Sequence, residues 1–269
     1  MDGRLAIIAC GGALPVLIQQ AHPGAMVITL EGVKSDLDTI SNPHRLEEIG
    51  VLFTSMKAEG VTDVIFAGAL TRPKLNPMLF DGEMQAIAPR LVQAMALGDD
   101  GLLRTVINIF EEQGFTVLGV GDLMPQLVAG ADLALGAKPT DQDEADINRA
   151  VNILRVISDL DIGQGCAVAG GQCLGIETVQ GTDALLHFVS ETPEHYRAGG
   201  RGGVYVKAAK TGQDLRMDMP AIGPDTVVAV SKARLSGMVV EADRVLILDR
   251  FATLQAAKDA GIFLQARAL

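Results

Sequence analysis

The sequence predicts an α/β protein with two domains. It has 269 residues, of which 48% are hydrophobic and 20% charged, and this is enough apolar material for sizeable cores. Apolar and amphipathic segments alternate through the first half, and the pattern breaks at 131–143, where Gly, Pro and acidic residues collect. We therefore predict an N-terminal domain over 1–130, a linker over 131–143 and a C-terminal α/β domain over 144–269.

The first domain is predicted to be Rossmann-like, because short apolar strands alternate with amphipathic helices. The predicted strands are 5–9, 25–30, 61–67 and 115–119, and the predicted helices are 13–20, 51–59, 89–97 and 101–113. The helix over 89–97 is expected to begin at Pro89, because proline is favoured at the first helical position. Strand and helix repeated in this way predict a parallel sheet with helices on both faces.

The second domain is predicted to hold a mixed sheet. A long amphipathic helix is predicted over 144–160, followed by shorter helices over 183–189, 225–235 and 252–260. Its predicted strands are 167–169, 174–179, 203–208, 238–240 and 245–248. Because small-molecule sites favour clefts between domains, we expect the ligand there.

The charge balance argues against a nucleic-acid partner. The chain has 33 Asp and Glu against 22 Lys and Arg, a net charge of -11, and an isoelectric point near 4.8. Its three cysteines, Cys10, Cys166 and Cys173, lack the spacing of a zinc site and are expected to be reduced and buried. The chain shows neither a signal peptide nor an 18-residue apolar run, so a cytoplasmic location is expected.

Two motifs of the first half could carry chemistry. CGGALP places Gly11 and Gly12 between the first strand and the first helix, where doubly wound sheets bind phosphates; a tight turn without a ligand is the alternative. GDD places Asp99 and Asp100 at the start of the helix over 101–113. Asp99 is predicted to be its N-cap, and the second acid leaves room for a metal or ribose contact.

Three features of the second half suggest an anionic ligand. Gln164 in DIGQG could orient a ligand or belong to a C-capping turn. Thr182 and Asp183 begin a predicted helix, either as a cap or as a carboxylate beside Mg²⁺ and phosphate. The segment 197–216 carries five cations against one acid, and Lys207 belongs to it. Anion binding is the favoured interpretation, and solvated loop lysines are the alternative.

Asp218 follows this basic segment directly. It precedes the turn formed by Pro220 and Gly223 and a predicted helix N-terminus. A single carboxylate in that setting is a candidate metal ligand or general base.

Six strings in order resemble the LpxI-type family of UDP-2,3-diacylglucosamine pyrophosphatases: CGGALP, FAGALTRP, GDDGLLR, LDIGQG, ETVQGTDALL and DMPAIG. The resemblance covers nearly the whole chain. It implies a Mg²⁺-dependent hydrolase that cleaves UDP-2,3-diacylglucosamine to UMP and 2,3-diacylglucosamine 1-phosphate in lipid A biosynthesis. It also implies a homodimer and, because the substrate is a lipid, peripheral contact with the inner membrane.

The resemblance also implies roles for single residues. Asp218 matches the family's essential aspartate. The other residues that the resemblance implies around the ligand are Gly11, Gly12, Asp99, Asp100, Gln164, Thr182 and Asp183. Two assignments come from the residues themselves: Asp183 as a second metal ligand beside Asp218, and Lys207 as a substrate-binding cation of the basic segment. Three positions depart from the family pattern: Cys10 replaces a glycine, Ala69 an asparagine and Ala221 a threonine.

Two other functions remain open at this stage. A Rossmann-like oxidoreductase with a nucleotide cofactor would need a GxGxxG loop, which CGGALP does not provide. A non-catalytic lipid or nucleotide binding protein would not need Asp218 or the acids at the helix starts.

Overall fold

The computed structural model describes residues 3–41, 43–70, 74–96, 98–197 and 202–269. Contacts divide the chain into two compact units. The first unit is Met1–Pro125 with Asp214–Asp218, and the second is Gln126–Gln213 with Met219–Leu269. The predicted class is confirmed, because the first unit contains a parallel sheet and the second a mixed one.

The first unit is a five-stranded sheet with the order β3-β2-β1-β4-β5, in which every neighbouring pair is parallel. The strands are β1 Arg4–Ala9, β2 Met26–Leu30, β3 Pro43–His44, β4 Val61–Ala67 and β5 Thr116–Leu118. The helices are α1 Leu14–Ala21, α2 Ile49–Ala58, α3 Gly82–Met95, α4 Asp99–Glu112 and α5 Val120–Leu123. The order matches that of doubly wound nucleotide-binding sheets, so the Rossmann-like prediction holds.

The core of the first unit explains why its central strand, β1, is apolar at every position after Arg4. Five of the six residues of β1 are buried, as expected for a parallel strand covered on both faces. Four phenylalanines pack together beside it. The ring of Phe110 meets those of Phe53 and Phe66 edge-on, at centroid distances of 5.0 and 4.9 Å. Such edge-to-face pairs add to the stabilisation from burial.

The predicted start of α3 is wrong. Pro89 lies inside this helix, which begins at Gly82. The Asp81 carboxylate accepts a hydrogen bond from the backbone N–H of Met84 at 2.8 Å, so the cap lies eight residues before the proline. The short strand β3 was not predicted, because two residues carry no periodic pattern.

The segment 214–218 belongs to the first unit although the sequence places it in the second domain. The backbone N–H of Asp214 meets the Asp100 carboxylate at 3.4 Å. The Arg216 guanidinium binds Asp214 through Nη2 at 2.7 Å and Glu111 through Nη1 at 2.6 Å. Its hydrogen bonds hold the pKa of Asp214 below the usual range. Met217 packs against the core of the same unit.

The second unit contains a six-stranded sheet with the order β6-β13-β11-β9-β7-β8. The strands are β6 Ala134–Leu135, β7 Gly165–Ala169, β8 Gln172–Ile176, β9 Val204–Lys207, β10 Ala221–Ile222, β11 Gly237–Glu241, β12 Leu246–Ile247 and β13 Phe263–Arg267. The helices are α6 Asp141–Ser158, α7 Gly181–Ser190, α8 Pro224–Lys232 and α9 Arg250–Ala260. β9, β11 and β13 run parallel, whereas β6, β7 and β8 pair antiparallel with their neighbours.

Three details of the second unit differ from the sequence prediction. The last strand, β13, was not predicted, yet it lies between β6 and β11. The predicted linker 131–143 contains β6 and the start of α6, which is capped by Thr140 and Asp143 acting on each other's backbone N–H groups. β12, predicted as a strand, pairs with β10 outside the main sheet.

The loops after β1 and β4 are joined by their backbones. Gly11 and Ala69 exchange two hydrogen bonds, of 3.1 and 2.9 Å. Gly68 lies between the strand end and this bridge with a φ of +93°, and a Cβ there would be 2.3 Å from the Gly11 carbonyl oxygen. Only glycine combines this backbone conformation with so close an approach.

We predict that Gly68→Ala destabilises the protein more than Gly12→Ala, by about 1–3 kcal/mol. Both glycines have a φ of +93°, so both substitutions carry similar backbone strain, but a Cβ at Gly12 meets nothing within 4 Å. The measurement is the urea and thermal unfolding midpoint of each variant. Equal losses in the two variants would show that the Gly11–Ala69 bridge tolerates a side chain.

Candidate functional site

The predicted site residues fall in both units. The first unit contains Gly11, Gly12, Asp99, Asp100 and Asp218, and the second contains Gln164, Thr182, Asp183 and Lys207. Each group is described within its own unit below.

The glycine loop lies at the carboxyl edge of the first sheet. Gly11 and Gly12 follow β1, next to β4, where the strand order reverses and doubly wound sheets bind ligands. Gly12 is exposed, and the N-cap of α1, Ala13, makes no side-chain hydrogen bond. Cys10 is buried, and burial raises its pKa to about 11, so its thiol stays protonated at neutral pH.

The two acids of GDD begin α4, but neither is its cap. The N-cap is Gly98, whose φ of 99° strongly favours glycine, so the predicted cap at Asp99 is wrong. Asp99 is exposed in the first turn. The Asp100 carboxylate accepts a hydrogen bond from Arg104 Nε at 2.7 Å, one turn along the helix. The Asp100 carboxylate therefore binds both the backbone of the segment 214–218 and a side chain of α4.

Asp218 ends the segment that packs on the first unit, and its side chain is half-buried. Arg216, two residues before it, was expected to attract an anion. In the structure, this guanidinium binds the carboxylates of Asp214 and Glu111. These hydrogen bonds raise the pKa of Arg216. Arg216 therefore fixes the segment that carries Asp218, and its charge is largely balanced.

A buried polar cluster occupies the second unit. Lys207, at the end of β9, is 4% exposed, and Glu177, just after β8, is 8% exposed. Lys207 Nζ lies 3.0 and 2.8 Å from the two Glu177 carboxylate oxygens and 2.8 Å from Thr182 Oγ1. The Thr182 hydroxyl in turn donates to Glu177 at 2.9 Å. These three residues join the ends of two strands to the start of α7.

Tyr205 and Gly165 also lie against this cluster. The Tyr205 hydroxyl lies 3.3 Å from a Glu177 oxygen, and burial, followed by the Glu177 charge, raises the pKa of the phenol well above its usual value. A Cβ at Gly165 would lie 2.4 Å from the Tyr205 hydroxyl and 2.5 Å from Glu177. The last glycine of DIGQG is therefore required by packing. Nothing in the sequence marks Tyr205 as part of a polar cluster. Glu177, taken by itself, looks like a structural acid.

The remaining predicted residues of the second unit are also engaged or exposed. Gln164 Nε2 donates to Gln213 Oε1 at 2.7 Å, and Gln213 also accepts from the backbone of Lys210. Asp183 is exposed in the first turn of α7. Arg197 is buried and donates to the carbonyl of Ala233 at 2.6 Å.

The basic segment 197–216 is thus mostly neutralised. Lys207 pairs with Glu177, Lys210 with Asp161, and Arg216 with acids of the first unit. Arg201 lies outside the described residues. Within the described part of the segment, each cation has a carboxylate or carbonyl partner, so its charge mainly organises the fold.

The residues predicted to hold Mg²⁺ are of the right donor type but form no closed cage. Asp218 and Asp183 offer hard carboxylate oxygens, as Mg²⁺ prefers. Across residues 3–41, 43–70, 74–96, 98–197 and 202–269, no group of three or more His, Cys, Asp or Glu could hold a metal. Each of the two carboxylates is of the donor type that Mg²⁺ binds, within its own unit.

Two family models match the chain in sequence order. The LpxI N-terminal domain matches residues 4–127, and the LpxI C-terminal domain matches residues 131–265. A curated relative from Caulobacter vibrioides, named UDP-2,3-diacylglucosamine pyrophosphatase LpxI, is 36% identical over 268 residues, covering 97% of this chain and 96% of that protein. In the described segments, no helix has the length and apolar character to cross a membrane.

These matches correct the function inferred from the sequence. That inference assigned a complete reaction to this chain, with UMP and 2,3-diacylglucosamine 1-phosphate as products, and it kept an oxidoreductase and a binding protein as alternatives. It is wrong as a statement about this chain, because the matches show a family, and the pyrophosphatase name belongs to the relative. The matches show neither the products nor either of the two alternatives. Together the two domain models cover residues 4–127 and 131–265, and the chain belongs to the LpxI family.

Proposed function

We propose that this chain is a hydrolase that acts on the phosphoanhydride of a UDP-linked, diacylated glucosamine. The observation that carries the proposal is the 36% identity to the Caulobacter pyrophosphatase over 97% of this chain. The two family models, over residues 4–127 and 131–265, include residues of both units and every candidate site residue. We also propose that the enzyme is cytoplasmic, as the sequence predicts.

The first unit would supply the backbone of the glycine loop, which approaches the phosphates, and the carboxylate of Asp218. Gly11 and Gly12 lie at the sheet edge where phosphates approach the backbone closely, and Gly12 has open space around it. Asp218 would position the attacking water or hold a cation beside the phosphates. Arg216, through Asp214 and Glu111, would hold the segment 214–218 in place without itself contacting the substrate.

In the second unit, Lys207 would act as a positioning residue. A lysine ammonium has three donors, and the two Glu177 oxygens and Thr182 account for three contacts within 3.0 Å. None of its donors is left for a phosphate in this arrangement. Its effect on the substrate would therefore pass through Thr182 and the first turn of α7, which also carries Asp183.

We propose that Mg²⁺ assists the reaction, with Asp218 as the candidate carboxylate ligand of the first unit and Asp183 as that of the second. When bound, the ion neutralises phosphate charge and makes the phosphorus more susceptible to attack. The overall charge of -11 gives a reason for a cation, because an acidic protein repels a diphosphate.

We also propose that the enzyme is a homodimer that contacts the inner membrane peripherally. The reason for the membrane contact is the substrate, whose acyl chains reside in a bilayer. Light scattering and sedimentation with anionic lipid vesicles would check the two points separately.

We predict that Asp218→Ala folds and still binds the intact substrate, while turnover falls at least about 10²-fold, the lower range for loss of an acid–base group. Loss of UDP-2,3-diacylglucosamine is followed by chromatography, and folding by the thermal midpoint. Asp259→Asn, which removes an exposed carboxylate on α9, is the matched control and should keep its turnover. A folded Asp218→Ala protein with near-normal turnover would remove the central residue of the proposal.

We predict that excess EDTA abolishes turnover and that added Mg²⁺ restores it. Asp183→Ala should raise the Mg²⁺ concentration needed for half-maximal turnover, while its stability falls by no more than about 1 kcal/mol, as expected for one first-turn acid. Undiminished turnover in EDTA would contradict the metal proposal. An unchanged Mg²⁺ requirement in Asp183→Ala would assign the metal to other residues.

We predict that Glu177→Gln destabilises the protein by about 3–5 kcal/mol, because it leaves the Lys207 ammonium buried without a counter-charge. Tyr205→Phe removes only one long hydrogen bond and should cost about 1 kcal/mol or less. The double variant Glu177→Gln with Lys207→Met should regain much of the lost stability. If turnover also returns in the double variant, Lys207 has no positioning role; if stability returns alone, the role is supported.

A further inference from the structure

Two cysteines face each other across the edge of the second sheet. Cys166 on β7 and Cys173 on β8 have sulfur atoms 4.0 Å apart. The two strands are antiparallel, and their register shifts between Ala167 and Val168, so that Val168 pairs with Cys173 while Cys166 pairs with Ile176. Cys166 and Val168 share one face of β7 and Cys173 lies opposite Val168, so the two thiols are diagonal neighbours on that face.

The two thiols have opposite surroundings. Cys173 is exposed, whereas Cys166 is buried in the core beneath it. A hydrogen bond from Cys166, with smaller help from the Gly175 N–H and the Arg149 charge, lowers the pKa of Cys173 to about 6 against the effect of burial. The same pairing raises the pKa of Cys166. Thus Cys173 is the nucleophilic member, and Cys166 is its protonated, shielded neighbour.

We propose that Cys173 and Cys166 form a reversible oxidation site that takes a hydroperoxide as its oxidant. The Cys173 thiolate attacks one peroxide oxygen, its S–O bond forms as the O–O bond breaks, and the leaving hydroxide takes a proton to become water. Cys166 sulfur then attacks the resulting sulfenic acid, a disulfide forms, and a second water leaves. The two thiols give up two electrons and two protons, and hydrogen peroxide becomes two waters.

The fold places this pair where oxidation would affect the polar cluster. β8 is an edge strand, held on one side only by β7. Glu177 follows β8 directly, and its N–H donates to the Gly165 carbonyl at 2.8 Å, one residue before Cys166. A disulfide needs a sulfur separation of about 2.05 Å, so the two cysteines must move closer to form the bond. That movement would occur beside the Glu177–Lys207 pair.

The direct test treats the full chain with hydrogen peroxide at neutral pH and reads the intact mass and the disulfide map. The expected product has lost two hydrogens, carries an intramolecular Cys166–Cys173 bond, and returns to its original mass with dithiothreitol. Cys10→Ser is the control and should behave like the unaltered chain. Cys166→Ala should stop at a sulfenic acid on Cys173 that dimedone traps.

Three results would overturn the proposal. One is oxidation to sulfinic acid without a disulfide, and another is a disulfide between two chains. The third is a Cys173 that iodoacetamide alkylates no faster than Cys10, where we expect at least about tenfold. These readouts are chemical, so they stand or fall separately from the proposed hydrolase activity.

Discussion

The second unit depends on one buried ion pair. Removing Lys207 and Glu177 from water carries a desolvation cost of several kcal/mol per ion, and only good geometry offsets it. Here the cost is met by contacts on every donor of the ammonium and by hydroxyls from Thr182 and Tyr205. Because those partners come from the end of β8, the end of β9 and the start of α7, satisfying the pair fixes all three elements together. Position 165 must be glycine for the same reason, because a side chain there would enter the cluster.

The first unit is organised by its backbone and by a segment from far along the chain. The Gly11–Ala69 bridge holds the loops after β1 and β4 at the sheet edge. Arg216 then joins Asp214 to Glu111 on α4, and Met217 enters the core. The half-buried Asp218 is therefore presented by a segment tied down at several points, which suits a carboxylate whose position matters.

Periodicity predicted the regular parts of the fold well. β4 has its predicted bounds, and β1 and α2 differ from theirs by only a few residues, because their apolar patterns report burial directly. The errors occur where a local or long-range contact overrides the pattern. Asp81 begins α3 well before Pro89, and Gly98 replaces Asp99 as the cap of α4. In β13, Gln265 and Arg267 interrupt the apolar pattern.

The site was predictable in its residue types but not in its partners. Gly11 and Gly12 lie at the sheet edge where their motif placed them, whereas Asp218 lies on a segment of the first unit that the sequence assigned to the second domain. Lys207 looked like a surface anion binder, because charge counted along a chain cannot show that a partner such as Glu177 is buried beside it. A run of cations indicates a ligand site only where those cations are not already paired with acids of the same chain.

The position of β13 has a consequence for synthesis of the protein. This strand follows every other strand of the second sheet in the sequence, yet it stands inside that sheet, with β6 on one side and β11 on the other. A nascent chain still held at the ribosome leaves the edges of both neighbours unpaired until residues 263–267 emerge. The first unit likewise waits for residues 214–218. Neither unit can complete its hydrogen bonding from its earlier segments alone, so the facing edges of β6 and β11 stay open until residues 263–267 have been made.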